Sequence, residues 1–267
     1  MAQQTVALLG TGKMGEAVLA GLLRSGWPAD RIVVTARRPA RGAELTGKYG
    51  VTLAGNTAAA GRAGIVVVGV KPQDAGPLLD EIAPELSPGT LVVSLCAGLT
   101  TGFFAGRLPA DTPVIRVMTN TPALVGEAMT ALSAGAHATG EHLDAAEELF
   151  RPLGATVRVP EYQQDAVTAL SGSGPAYFYL IAEAMIDAGV LLGLPRAVAH
   201  RLIVQTAAGS AAMLRDSGEH PVLLREAVTS PAGTTAAALR ELERHGVRAA
   251  LLAALEAARD RAAELAG

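Results

Sequence analysis

Gly10-Thr11-Gly12-Lys13-Met14-Gly15 sets three glycines at fixed offsets, just after an apolar run, Thr5 to Leu9, and just before a helical stretch, Glu16 to Arg24. The first glycine permits a tight turn, the second lets backbone approach a pyrophosphate, and the third lets the helix pack closely on the strand. The helix start adds unpaired N–H donors and the positive end of a dipole. Gly10, Gly12, Lys13 and Met14 are therefore candidate dinucleotide contacts.

The second strand ends Thr35-Ala36-Arg37-Arg38, with no acid. A carboxylate there would hold the ribose 2'-hydroxyl of NAD, whereas the planar fork of arginine suits a 2'-phosphate. Arg37 and Arg38 favour NADPH, with NADH as the weaker alternative; a solvated loop of Arg37, Arg38 and Arg41 is the plainer reading. Ligands of open α/β sheets lie beyond the carboxyl ends of strands, which brings Val70-Lys71-Pro72 and Ala97-Gly98 toward the nicotinamide. Asn120, in Thr119-Asn120-Thr121-Pro122, reads equally as a substrate or cofactor contact and as ordinary turn chemistry.

Two later segments are rich in small and hydroxylated residues. Leu170-Ser171-Gly172-Ser173-Gly174-Pro175 breaks a helix, either as a cap with a proline kink or as a ligand contact. Thr229-Ser230-Pro231-Ala232-Gly233-Thr234-Thr235 opens another helix with more hydroxyls than one cap needs, which favours a carboxylate-binding site there.

Other chemistries lack their residues. Lysine occurs only at 13, 48 and 71, so the helical part has no lysine base. Ser173 is not in a G-x-S-x-G setting. His137, His142, His200, His220 and His245 have no metal-ligand spacing, and Cys96 is the single cysteine, so no metal site is expected.

The elements that must position these residues follow from patterning over 267 residues. Short apolar runs at Thr5–Leu9, Ile32–Ala36, Val51–Leu53, Ile65–Val70, Leu91–Cys96 and Val114–Met118 alternate with Ala-rich stretches, as in a parallel sheet covered on both faces. Ala128–Ser133 and Thr156–Val159, flanking an amphipathic helix near Glu141–Leu149, complete the sheet edge. Past Pro160 the strand signal stops. Asp165–Leu192, Pro195–Arg215, Pro221–Val228, Thr235–Arg244 and Val247–Leu265 read as helices. The expected domains are 1–160, an α/β doubly wound sheet, and 161–267, all helical. Faces such as Ile203–Ala212 and Ala249–Ala254 are apolar or small nearly all round, which predicts packing against a second subunit.

A net charge of -3 gives no basic surplus for nucleic acid. The longest uncharged stretch, Ala166–Ala182, is interrupted at 171–175, which disfavours a membrane span. With no leader-like opening, a cytoplasmic protein is expected.

The segments Leu170–Tyr177, Gly193-Leu-Pro-Arg196, Ser217-Gly-Glu-His-Pro221 and Val228–Thr235 resemble the pyrroline-5-carboxylate reductase family of proline biosynthesis, as do Gly12–Glu16, Val70–Gln73 and Asn120–Gly126. The resemblance spans nearly the whole chain. It implies an N-terminal Rossmann-type domain holding NADPH and a helical dimerisation domain, with reduction of Δ1-pyrroline-5-carboxylate to L-proline by hydride transfer to the imine carbon. Gly10 to Met14 would lie under the pyrophosphate, Arg37 or Arg38 near the 2'-phosphate, Asn56 near the adenosine, and Gly69 to Pro72 with Ala97-Gly98 beside the nicotinamide. Ser230, Gly233 and Thr234 would take the substrate carboxylate and Thr235 the ring nitrogen, with Asn120 and Ser173 as further substrate candidates. The family's helical domains interlock between subunits, so a dimer or a decamer follows. Two positions depart from the commonest pattern: Ala232 replaces a glycine and Thr119 a proline.

Overall fold

The computed structural model describes residues 4–266, so the outer limits of the expected domains, Met1 and Gly267, lie outside the described residues. The chain forms two compact units, one of residues up to Ser173 together with those from Ala258 onward, the other Gly174–Ala257.

The first unit is built on one sheet of eight strands in the order β3-β2-β1-β4-β5-β6-β7-β8. The strands are β1 (Val6–Leu9), β2 (Ile32–Val34), β3 (Thr52–Leu53), β4 (Ile65–Val68), β5 (Leu91–Ser94), β6 (Val114–Met118), β7 (Ala128–Ala134) and β8 (Gly154–Arg158). Strands β1 to β6 are parallel, β7 runs antiparallel to β6, and β8 is parallel to β7. Fully apolar strands such as β4, Ile-Val-Val-Val, are buried on both faces because helices cover both. One face packs Leu19 and Leu22 of α1 (Lys13–Arg24) with Leu45 of α2 (Pro39–Tyr49); the other packs Ala59 of α3 (Asn56–Ala60), Leu79 and Ile82 of α4 (Pro72–Ile82), and Phe104 of α5 (Thr101–Ala105). Leu149 and Phe150 of α6 (Gly140–Phe150) join the first face. The order reverses between β1 and β4, so their carboxyl ends open the crevice where doubly wound sheets take ligands.

The chain after β8 departs from the sequence reading. Residues 161–173, expected in the helical domain, group with the sheet. They form a short 3-10 turn (Glu161–Gln163), α7 (Gln164–Val167) and a π-helical turn (Thr168–Gly172). The break at Ser171–Ser173 is no open loop: the π turn continues the preceding helix, the Ser173 N–H donates to the Thr168 carbonyl at 2.8 Å, and the next helix begins at Gly174.

The second unit contains α8 (Gly174–Leu191), α9 (Arg196–Asp216), α10 (Pro221–Ala227), α11 (Thr234–Arg244) and most of α12 (Val247–Ala266). Helices α8 and α9 form a hairpin whose close crossing requires Gly189, where an added Cβ would lie 2.8 Å from Ala199 Cβ. Within one chain many apolar side chains here stay uncovered, including Phe178 at 73%, Leu191 at 88% and Leu252 at 64% exposure. No helix among the described residues is long and apolar enough to cross a membrane.

Candidate functional site

The turn after β1 is shaped by contact with β4. Gly10 has φ +85°, and a Cβ there would sit 2.5 Å from Val70 Cγ1 and 2.9 Å from the Val70 amide nitrogen. Thr35, at the end of β2, ties the turn down: its hydroxyl accepts from Gly10 N–H at 3.1 Å and its carbonyl from Thr11 N–H at 3.3 Å. Around Gly12 the space is open, and no side chain caps α1. A Cβ on Gly15 would meet the Gly10 carbonyl at 3.0 Å, so the third glycine lets the helix seat closely. The loop thus presents backbone donors to an anion with no side chain in the way.

The crevice at this point is a cleft of about 680 Å³. Gly10, Gly12, Arg37, Arg38, Asn56, Gly69, Val70 and Lys71 line it. Lys13 and Met14 begin α1 and Pro72 begins α4, beside the cleft but outside its lining. Ala97 and Gly98, also outside, follow β5, with Gly98 at φ +79°. Arg37 Nη1 stands 3.7 Å from Asp74 Oδ2, both exposed, while Arg38 forms no ion pair among the described residues. Asn56 Nδ2 donates to Glu81 Oε2 at 2.9 Å.

Arg41 lines the same cleft, yet its charge is spent within the fold. It binds Glu16 through Nη2, approaches Glu44 at 2.8 Å, and donates from Nε to the Thr11 carbonyl at 3.3 Å. Bonds from Arg41, Lys48 and Tyr49 hold the Glu16 carboxyl at about 2, far below its ordinary value. Nothing in the spacing of Arg41 and Glu16 along the chain links them; their pairing is visible only once α1 and α2 lie side by side.

Near the ends of β5 and β6, Cys96 is buried and its thiol is pushed up to about 11 by that burial. Sγ donates to the Val70 carbonyl at 3.4 Å. Asn120 Nδ2 bonds both the carbonyl and the hydroxyl of Ser171 at 3.2 Å, and its Oδ1 accepts from Met129 N–H at 3.1 Å. The amide therefore ties the strand exit to the π turn, where Ser173 is half-buried. Thr119 bonds the buried Thr130 hydroxyl at 2.9 Å, a role open to threonine and closed to proline.

In the second unit the loop before α11 is a compact turn. Gly233 is the N-cap, and no side chain bonds the helix start. A Cβ on Gly233 would fall 2.4 Å from Ser230 Oγ, so only glycine lets that hydroxyl lie against the cap. Ala232 has φ +57°, a left-handed conformation that disfavours any side chain. Thr229 bonds back to the Arg225 carbonyl at 2.6 Å, which leaves Ser230, Thr234 and Thr235 as the hydroxyls around an uncapped helix start. No group of three or more His, Cys, Asp or Glu able to hold a metal exists among the described residues.

Residues 161–265 match the family model described as pyrroline-5-carboxylate reductase dimerisation, and residues 5–98 match that described as NADP oxidoreductase, coenzyme F420-dependent. A pyrroline-5-carboxylate reductase of Mycobacterium tuberculosis is 46% identical, over 97% of this chain and 96% of its own length. The structure of a pyrroline-5-carboxylate reductase from Coxiella burnetii superposes with a TM-score of 0.94 at 36% identity, covering 99% of both chains. That of a Plasmodium falciparum pyrroline carboxylate reductase, with NADP bound, superposes at 0.89 with 29% identity, covering 100% of each.

Proposed function

From the premise that the chain belongs to the pyrroline-5-carboxylate reductase family, we propose that it reduces Δ1-pyrroline-5-carboxylate to L-proline with NADPH. The observation that carries this reading is the uncapped start of α11, ringed by the Ser230, Thr234 and Thr235 hydroxyls, in a chain that has no lysine beyond residue 71.

The residues present fit a phosphorylated dinucleotide. Gly12 leaves the space that a Cβ would fill, and Arg38 forms no ion pair among the described residues in a cleft of sufficient size. Gly10 to Met14 take the pyrophosphate and Arg37 with Arg38 the 2'-phosphate, which makes NADH the weaker donor. Asn56 lies with the adenosine, and Gly69 to Pro72 with Ala97 and Gly98 border the nicotinamide. When bound, the cofactor supplies the hydride that reduces the imine carbon.

Ser230, Gly233 and Thr234 hold the substrate carboxylate through hydroxyls and free amides. Thr235 offers the ring nitrogen a neutral hydrogen-bonding partner, and Asn120 and Ser173 are read as further substrate contacts. A protonated imine is already electrophilic, so orientation accounts for much of the rate and no strong side-chain acid is needed. Solvent supplies the proton.

We read 1–160 as the cofactor domain and 161–267 as the substrate-binding and dimerisation domain, a division that follows the family match over 161–265, while 161–173 pack with the sheet. The uncovered apolar side chains of α8 and α12 support self-association, as a dimer or a decamer. A single buried cysteine accords with the cytoplasm.

Loss of NADPH absorbance with Δ1-pyrroline-5-carboxylate, run beside NADH and a six-membered imine acid, tests the reading. Proline should form, faster with NADPH. Thr235→Ala should lower kcat by about 10- to 100-fold while NADPH still binds. Unchanged turnover would remove Thr235 from the mechanism, and NADPH binding without imine turnover would remove the reaction.

A further inference from the structure

Strand β6 reads Val-Ile-Arg-Val-Met, with an arginine in its centre. Arg116 is 4% exposed. Taking a guanidinium out of water is costly, and an apolar side chain of similar size would serve a core strand at least as well for stability. A buried arginine retained there invites a reading in terms of placement.

Its partners lie on the chain after β8. Nη1 stands 3.5 Å from Glu161 Oε1, and Nη2 stands 3.5 Å from Asp165 Oδ1. Glu161 is itself gripped by the start of α5, accepting from the Thr101 N–H and hydroxyl at 2.6 Å each. Beside them Gln164, fully buried, donates to Ser133 Oγ at 2.7 Å, and Ser133 is the residue paired with Arg116 across β6 and β7.

Alternate residues of an extended chain share one face. Arg116, Met118 and Asn120 are such a series, and each holds the segment 161–172. Arg116 faces Glu161 and Asp165, Met118 Sδ lies where a Cβ on Gly172 would come within 3.2 Å, and Asn120 bonds Ser171. The π turn, Thr168–Gly172, follows the ionic grip and is itself held by the amide grip at Ser171. A π turn carries one residue more per turn than an α-helix and persists where surrounding contacts hold it.

We propose that Arg116 is a positioning residue for the imine site, setting the π turn and Ser173 against Asn120 through its pairing with Glu161 and Asp165. This rests on the functional reading above, in which Asn120 and Ser173 are read as substrate contacts. The cofactor loop at Gly10–Gly15 makes none of these contacts, so imine and cofactor affinities should separate.

The test uses full-length Arg116→Lys, which keeps a buried cation, and Asp165→Asn, which keeps the side-chain shape. NADPH dissociation constant, imine kcat and KM, and amide hydrogen exchange over 164–173 are measured for each beside the wild type. Both variants should lose about 10-fold in imine kcat/KM, since a small misplacement of a binding group costs that much or more, while the NADPH dissociation constant stays within about two-fold. Exchange over 164–173 should quicken and that over 10–24 should not. Folded variants with unchanged imine kcat/KM would overturn the proposal, as would a parallel loss of NADPH affinity, which marks general loosening. A wild type that oxidises no NADPH with the imine overturns the functional reading and this one with it; a normal wild type beside unaffected variants overturns this one alone.

Discussion

Arg41 holds Glu16 in the first turn of α1 and, through the same guanidinium, donates to the Thr11 carbonyl at 3.3 Å. The glycine loop is thereby braced from α2, and the arginine nearest the phosphate turn is committed to the protein. Of the arginines that line the cleft, Arg37 and Arg38 are left for a ligand.

Glu16 makes the brace sensitive to acid. Its folded carboxyl titrates at about 2 against an ordinary 4.5, so its stabilisation is complete above pH 4.5 and is lost as pH falls from there toward 2. The contribution is about 2 kcal/mol after allowance for partial exposure. Urea unfolding between pH 6 and pH 3 should show a loss in the wild type that Glu16→Gln lacks; parallel curves would remove Glu16 as its source.

Gly10 and Gly12 should respond differently to alanine. At Gly10 the methyl meets the backbone of Val70 in a left-handed conformation, so Gly10→Ala should cost about 3 kcal/mol or more and lower Tm sharply. At Gly12 nothing lies within 4 Å. Gly12→Ala should leave Tm unchanged and weaken NADPH binding only, by calorimetric titration.

Arg38→Ala should raise the NADPH dissociation constant roughly 10-fold, the value of a charge-assisted bond to phosphate, with NADH affinity unmoved. Arg37→Ala should do less, since Arg37 already faces Asp74 at 3.7 Å. An equal effect on both cofactors would place the 2'-phosphate elsewhere.

Ala232 shows how a departure from the family pattern is absorbed. The residue adopts φ +57° with a methyl in place, a strain of about 1 kcal/mol. Ala232→Gly relieves it but gives the unfolded chain about 0.5–1 kcal/mol of added freedom. Tm should move by only a few degrees. The turn already has the shape glycine would give, so imine KM should stay within about two-fold; a larger change would mean that the methyl itself touches substrate.

Much of this was legible in the chain. The apolar runs became strands, and helices expected at Pro195–Arg215 and Thr235–Arg244 are found at Arg196–Asp216 and Thr234–Arg244, because periodicity and caps are local signals. The helical character of 165–173 was legible, but its grouping with the sheet was not, since it goes with the pairing of Glu161 and Asp165 to Arg116, far upstream in a strand that otherwise reads as plain core. Nor could spacing reveal that Asn120 spends its amide on Ser171 and Met129.

The borders of the eight-stranded sheet carry a last consequence. On one side β3 is two residues long. On the other, β8 begins at Gly154, whose φ of 145° sets its Cα against the Ala128 backbone, and ends at Arg158, bound to Asp144 and Glu147. The two-residue length of β3 and the charged end of β8 at Arg158 are both features that discourage pairing with a newly made chain.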